Sequence, residues 1–195
     1  MLLRRCGTDA LLVEVDSLTE VAAVRAVLQG LPGIEELVPA ARTVLVKGPL
    51  QQVREALKDV DLTKAPKIHP REITIPVAYD GPDLDLVAET AGITKDQVVE
   101  LHTTATYEVA FCGFAPGFAY LTGLPAPLQQ PRLDSPRTKV PTGSVGIAGE
   151  FTAAYPRATP GGWRLIGRTE ITLFDPKAET PALLQPGDQV RFVIA

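Results

Sequence analysis

The sequence predicts an α+β fold in two parts: a ferredoxin-like α/β domain over residues 1–70, then a domain of short strands over residues 71–195. Three observations carry this. Over the first 80 residues, strand-like and helix-like patterns follow one another in the order β-α-β-β-α-β, the split βαβ arrangement. From residue 107 onward the apolar runs shorten and turn signals recur, as in a closed or nearly closed barrel or sandwich. Between them, residues 111–175 hold 9 of the 16 glycines and 8 of the 18 prolines. No helix or long strand tolerates that density, whereas turns of fixed backbone shape require it.

In chain order, residues 10–15 (ALLVEV) read as a buried strand. Ser17, with Glu20 three residues on, signals a capping box for a helix running to Gln29. Val21, Val24 and Leu28 share one face of it, and Gly30 is a natural stop. Residues 34–38 and 43–46 are strand candidates; Pro49 opens a second helix with Leu50, Val53 and Leu57 on one face. Residues 72–79 alternate as the sixth element, after a hinge at 63–70 that contains two prolines and His69. The first part shows no catalytic constellation and reads as a packing or interface domain.

Residues 83–102 form two short helices around Gly92, the second capped by Thr94 with Gln97 at its third position. They resemble a helix-turn-helix, but five acids against Lys95 alone would be repelled by phosphate. The pair is expected to cover a sheet. Further strands are expected at 107–111, 144–148, 152–155, 163–166, 171–174 and 189–194.

The totals set bounds. With 45% hydrophobic and 22% charged residues the chain can bury a core. No apolar run approaches the ~20 residues of a membrane span, and neither a signal nor a transit peptide fits the start. Cys6 and Cys112 make no disulfide framework, which favours a cytoplasmic location. A net charge of −4 argues against nucleic acid as a partner. No paired His or Cys spacing suggests a metal. Gly143, Gly146 and Gly149 follow a GxxGxxG spacing that suits a strand better than a nucleotide loop, and no Walker A motif occurs.

Residues 111–175 carry six cationic residues against four acidic ones, leaving the remainder of the chain at −6. This basic, aromatic-rich segment is the candidate anion site. Arg132 and Arg137 sit in PRLDSPR, where prolines on both sides stiffen the chain. They either hold an anionic substrate through planar guanidinium forks or are ordinary solvated arginines, one paired with Asp134. His102 is either an acid/base group or a structural histidine.

The strings GFAPGFAYL at 113–121, Pro131-Arg132, Pro136-Arg137, VPTGSV at 140–145, IAG at 147–149, Tyr155-Pro156, PGGW at 160–163, IGRT at 166–169 and PGD at 186–188 occur in order. Together they resemble the allophanate hydrolase subunit 1 family, densely over residues 100–190. The resemblance implies a cyclophilin-like β-barrel for the second domain. It also implies the B-type subunit of an ATP-dependent 5-oxoprolinase, opening 5-oxo-L-proline to L-glutamate together with subunits C and A. A Kip-type histidine-kinase inhibitor and a carboxyltransferase-domain subunit of a urea carboxylase-like enzyme are the alternatives within it. ATP would be used by the complex, since this chain carries no nucleotide motif. Residues 131–137 are expected to face a cleft formed with 113–120 and 141–144. Arg132, Arg137, Phe114, Phe118, Tyr120, Thr142, Gly143 and Ser144 are thus the expected substrate-binding residues, with His102 nearby.

Overall fold

The computed structural model describes residues 1–63 and 70–195, in two compact units, Met1–His69 and Pro70–Ala195. The expected hinge at 63–70 falls almost wholly on residues 64–69, outside the described residues.

In the first unit, β1 (Leu2–Cys6) and β2 (Ala10–Glu14) form a hairpin. They are followed by α1 (Leu18–Gln29), β3 (Glu36–Pro39), β4 (Thr43–Lys47) and α2 (Leu50–Ala56). The sheet order is β1-β2-β4-β3, with every pair antiparallel. Period-two alternation sends Leu11, Val13, Val44 and Val46 toward Val24 and Leu28 of α1 and Val53 of α2, giving this unit its own core. Ser17 caps α1 by accepting from the Glu20 amide at 3.3 Å. The Glu20 carboxylate reaches the Asp16 amide at 3.2 Å, so only the first half of the expected capping box forms.

The ferredoxin-like expectation places residues 72–79 beside β2. That edge is filled instead by β1, whose sequence LLRRC has too little alternation to announce a strand.

The second unit holds β5 (Glu72–Val77), α3 (Leu84–Ala91), α4 (Lys95–Thr104), β6 (Tyr107–Cys112), β7 (Ala119–Thr122), β8 (Arg137–Val140), β9 (Ser144–Ala148), β10 (Phe151–Ala154), β11 (Thr159–Gly161), β12 (Arg164–Arg168) and β13 (Gln189–Ile194). Seven strands form one sheet in the order β12-β9-β10-β7-β6-β13-β5, and β8 pairs with β11 as a separate ribbon. β5 runs parallel to β13, and all other pairs are antiparallel. Pro76 is tolerated because β5 is an edge strand.

The two edges then meet. Ala78 and Arg168 exchange backbone hydrogen bonds of 2.8 and 2.9 Å, making the sheet a nearly closed barrel. Gly167 permits this approach: a Cβ there would stand 2.5 Å from the Ala78 carbonyl oxygen and 2.7 Å from a Val77 methyl.

The helix pair covers the sheet as expected. Gly92 ends α3 in the left-handed conformation (φ +67), and Thr94 and Gln97 complete a reciprocal capping box on α4. Val87, Ala88 and Val98 pack with Tyr107, Val190 and Phe192. Residues 171–174, expected as a strand, form a loop with a single bridge from Phe174 to Ala182. β7, β8 and β11 escape a reading of the sequence: each has three or four residues and is bounded by turn residues that mask its pattern.

Candidate functional site

Alternation along the barrel strands sorts side chains into two layers. Leu121, Val145, Ile147 and Ile166 join the main core with the helices. Phe118, Ala153, Tyr155, Trp163 and Leu165 form a second layer, closed over by Val140 of the ribbon and edged by Tyr120 and Phe151. Phe118 is its hub, meeting Phe114, Tyr120, Tyr155 and Trp163 edge-on at centroid distances of 5.2, 5.1, 5.1 and 5.6 Å. Tyr120 also stacks on Phe111 at 4.4 Å. Edge-to-face pairs are the geometry that ring quadrupoles favour.

Residues 131–137 cross this layer as a strap. It is tied before Arg132 by the Gly149 amide donating to the Gln130 carbonyl (2.7 Å), and after it by the Leu133 amide donating to the Gly162 carbonyl (2.8 Å). The two arginines then part company. Arg137 donates to Asp83 Oδ1 at 2.6 Å and to the Trp163 carbonyl at 3.3 Å. Asp83 is buried, and its other oxygen accepts the Leu165 amide at 2.6 Å. Arg137 is therefore half of a largely desolvated ion pair. Arg132 is exposed and has no hydrogen-bond or ion-pair partner among the described residues. Asp134 pairs with neither.

The Arg132 charge acts on two tyrosines of this layer. Burial pushes the Tyr155 hydroxyl up to about 12, opposed first by the Arg132 guanidinium and more weakly by Arg137. Burial likewise raises Tyr120, again opposed by Arg132. Neither hydroxyl has a hydrogen-bond partner among the described residues.

Phe114 stands at the rim, 60% exposed. It is the one non-glycine residue with positive φ (+67) among the described residues, held by a tight turn in which the Ala115 amide donates to the Gly113 carbonyl at 2.7 Å. That conformation costs about 1–3 kcal/mol, which keeps this loop a candidate site element.

Thr142 and Gly143 line a neighbouring cavity of about 350 Å³ with Tyr155, Pro156 and residues 168–174. Gly143 (φ +80) lies so close to Thr169 that a Cβ would stand 2.2 Å from its carbonyl oxygen. Arg168 on this wall is paired with Asp80 at 2.9 Å and Glu170 at 3.7 Å. Ser144 is buried in β9 and does not line the cavity.

His102 lies apart from all of these. It is fully buried, with Nδ1 2.7 Å from the Tyr79 hydroxyl and Nε2 3.0 Å from Thr152 Oγ1, and it stacks on Phe192 at 4.5 Å. Burial lowers its pKa to about 3. A neutral, sealed imidazole with both nitrogens engaged ties α4 to β10. It has no open side from which to exchange a proton with a ligand.

Residues 1–184 match the carboxyltransferase domain, subdomain C and D, family. The chain belongs to that family. It is 42% identical to the 5-oxoprolinase B subunit of Escherichia coli O157:H7, over 96% of this chain and 93% of that protein. To the 5-oxoprolinase B subunit of Bacillus subtilis (strain 168) it is 36% identical, over 92% of this chain and 83% of that one. Among solved structures it is similar to TTHA0988, with a TM-score of 0.82 and 33% identity over 96% of this chain. It spans only 40% of the TTHA0988 chain.

The strap, the GFAPGF loop and the Thr142-Gly143 turn remain candidate site elements; the structure puts Thr142 and Gly143 on one cavity and Phe114, Phe118 and Tyr120 in one aromatic layer. Sequence reasoning missed Asp83, placed among the acids of a helix pair, because its partner Arg137 lies 54 residues away. It also missed the Tyr79–His102–Thr152 chain, which no spacing signals. Among the described residues no helix is long and apolar enough to cross a membrane, and no group of three or more His, Cys, Asp or Glu could hold a metal ion.

Proposed function

We propose that this chain is the B-type subunit of an ATP-dependent 5-oxoprolinase, acting with A- and C-type subunits to open 5-oxo-L-proline to L-glutamate. The observation that carries the reading is the 42% identity to the Escherichia coli relative over nearly the whole of both chains. In this reading the second unit is a cyclophilin-like barrel beginning near residue 70. The substrate region comprises Phe114, Phe118 and Tyr120 with Arg132 of the strap, extended by Thr142 and Gly143; Arg137, paired with Asp83, and Ser144, buried in β9, fall outside it. Neither cysteine is part of a disulfide, which favours the reducing cytoplasm.

Amide resonance makes a lactam a poor electrophile, so ring opening needs activation as well as binding. The glycine-rich stretch does not fit a nucleotide: residues 144–148 are the inner strand β9, whose neighbours β10 and β12 occupy both its edges. In this reading ATP is used by the complex, and this chain contributes positioning. A carboxylate-bearing substrate suits a pocket that offers a fixed guanidinium and aromatic walls.

The test is reconstitution. The chain is purified alone and with its A- and C-type partners, and ATP-dependent release of glutamate from 5-oxo-L-proline is assayed. Turnover by the full set and none by the chain alone is expected. Substantial activity from the single chain, or none from the full set, contradicts the assignment.

A further inference from the structure

The strap carries two arginines five residues apart, and a shared role is the simple reading of that spacing. The geometry separates them. Arg137 has its charge met by a buried carboxylate at 2.6 Å, and its Nη1 is spent on the Trp163 carbonyl. Asp83 is itself held by the Leu165 amide, so the pair is fixed from both sides. A guanidinium so engaged has its strongest donors turned away from any ligand, and withdrawing it would leave a buried, uncompensated carboxylate. Arg132 has the opposite character. Its backbone is pinned on each side by the 2.7 and 2.8 Å ties at Gln130 and Leu133, while its side chain is exposed and unpaired among the described residues. Arg157 is exposed and unpaired too among the described residues, but it lies outside the strap.

We propose that Arg132 alone is the anion-binding group of the aromatic site, that its ligand is a small carboxylate borne on a flat ring, and that Asp83 is a positioning residue that withdraws Arg137 from the site by pairing with it. The Tyr120 and Tyr155 hydroxyls, free of protein partners among the described residues, supply further donors beside the guanidinium. The exposed Phe114 ring and the half-buried Tyr120 and Phe151 rings give a flat ligand an apolar wall. This rests on the 5-oxoprolinase reading for the identity of the ligand, but not for the existence of the site.

Two arms test it. In the reconstituted complex, Arg132→Gln raises KM for 5-oxo-L-proline about ten- to a hundredfold, the loss of one charge-assisted contact, without moving the melting midpoint. Arg132→Lys, which keeps the charge but loses the fork, falls between. Arg137→Gln lowers the melting midpoint and leaves KM of the folded enzyme within about twofold; Asp83→Asn lowers the midpoint and, by releasing Arg137 toward the ligand, shifts KM more than about twofold, a shift lost when Arg137→Gln is added. Arg157→Gln changes neither. In the second arm, emission from Trp163, the sole tryptophan, is titrated in the chain alone with 5-oxo-L-proline and with 2-pyrrolidinone, which lacks the carboxylate. A response to the acid only, abolished by Arg132→Gln, supports the proposal even if the wild-type complex proves inactive, in which case the activity reading alone falls. The proposal is overturned if Arg132→Gln keeps wild-type KM. It is equally overturned if Arg137→Gln raises KM as much without a loss of melting midpoint, or if the acid gives no response beyond that of pyrrolidinone.

Discussion

Protonation of His102 must unfold the barrel locally, and the size of that effect follows from its surroundings. Tyr79, Tyr107, Phe192 and Thr152 enclose the ring, none of them charged at neutral pH, and burial alone lowers its pKa from 6.5 to about 3. The folded state thus refuses a proton that the unfolded chain accepts below pH 6.5. Stability is fully present above that value and is lost as pH falls from 6.5 toward 3. The loss approaches about 1.4 kcal/mol per pH unit and reaches about 2 kcal/mol by pH 5. Carboxylates elsewhere titrate over part of the same range, so the informative quantity is the difference between wild type and His102→Gln. At pH 7.5 that variant loses the ring stack and at least one buried hydrogen bond, about 1–3 kcal/mol. By pH 5 the wild type has given up about 2 kcal/mol that the glutamine variant never had, so the gap closes toward zero. Urea unfolding followed by Trp163 emission reads this, because that side chain lies in the same unit as His102. A gap that stays constant from pH 7.5 to 5, or a His102 imidazole NMR signal titrating near 6.5, would refute the reasoning.

Two further outcomes are expected. Gly167→Ala places a methyl into the Ala78 carbonyl across the closing seam, so the barrel unit should lose at least about 2 kcal/mol in the same urea assay; an unchanged midpoint would mean the seam is not part of the cooperative structure. Phe114→Gly relieves a left-handed φ while removing an exposed ring, so stability should rise by about 1 kcal/mol as activity of the complex falls. A variant that is both more stable and fully active would show the loop to be structural.

How far the sequence reached depended on how local each determinant is. The helix pair around Gly92 was legible, apart from the last two residues of α4, because its signals, a left-handed glycine and a capping box, act within four positions. Strand β9 was equally legible, since an uninterrupted run of small and apolar residues has only an interior strand to occupy. β1 was not, because LLRRC becomes a strand by pairing with β2 rather than by its own pattern. The same non-local pairing decides which sheet residues 72–77 join: β5 lies parallel to β13, more than a hundred residues away in the chain. Ferredoxin-like order was therefore read from elements that exist, with one of them assigned to the wrong unit.

The site was legible in composition and opaque in assignment. Prolines 131 and 136 mark a strap, and it is tied at Gln130 and Leu133 to Gly149 and Gly162, the latter next to Trp163 of the aromatic layer. What no local pattern discloses is that the helix pair begins with a buried acid aimed at that strap. Asp83 lies in a segment whose surplus of acids reads as a solvated face, and four of the five fit that description: Asp85, Glu89, Asp96 and Glu100 are exposed while Asp83 is not. The fifth changes the meaning of the basic stretch. A buried carboxylate must be compensated, so one of the two arginines belongs to the fold. The proposed anion site therefore rests on one guanidinium, Arg132, rather than two.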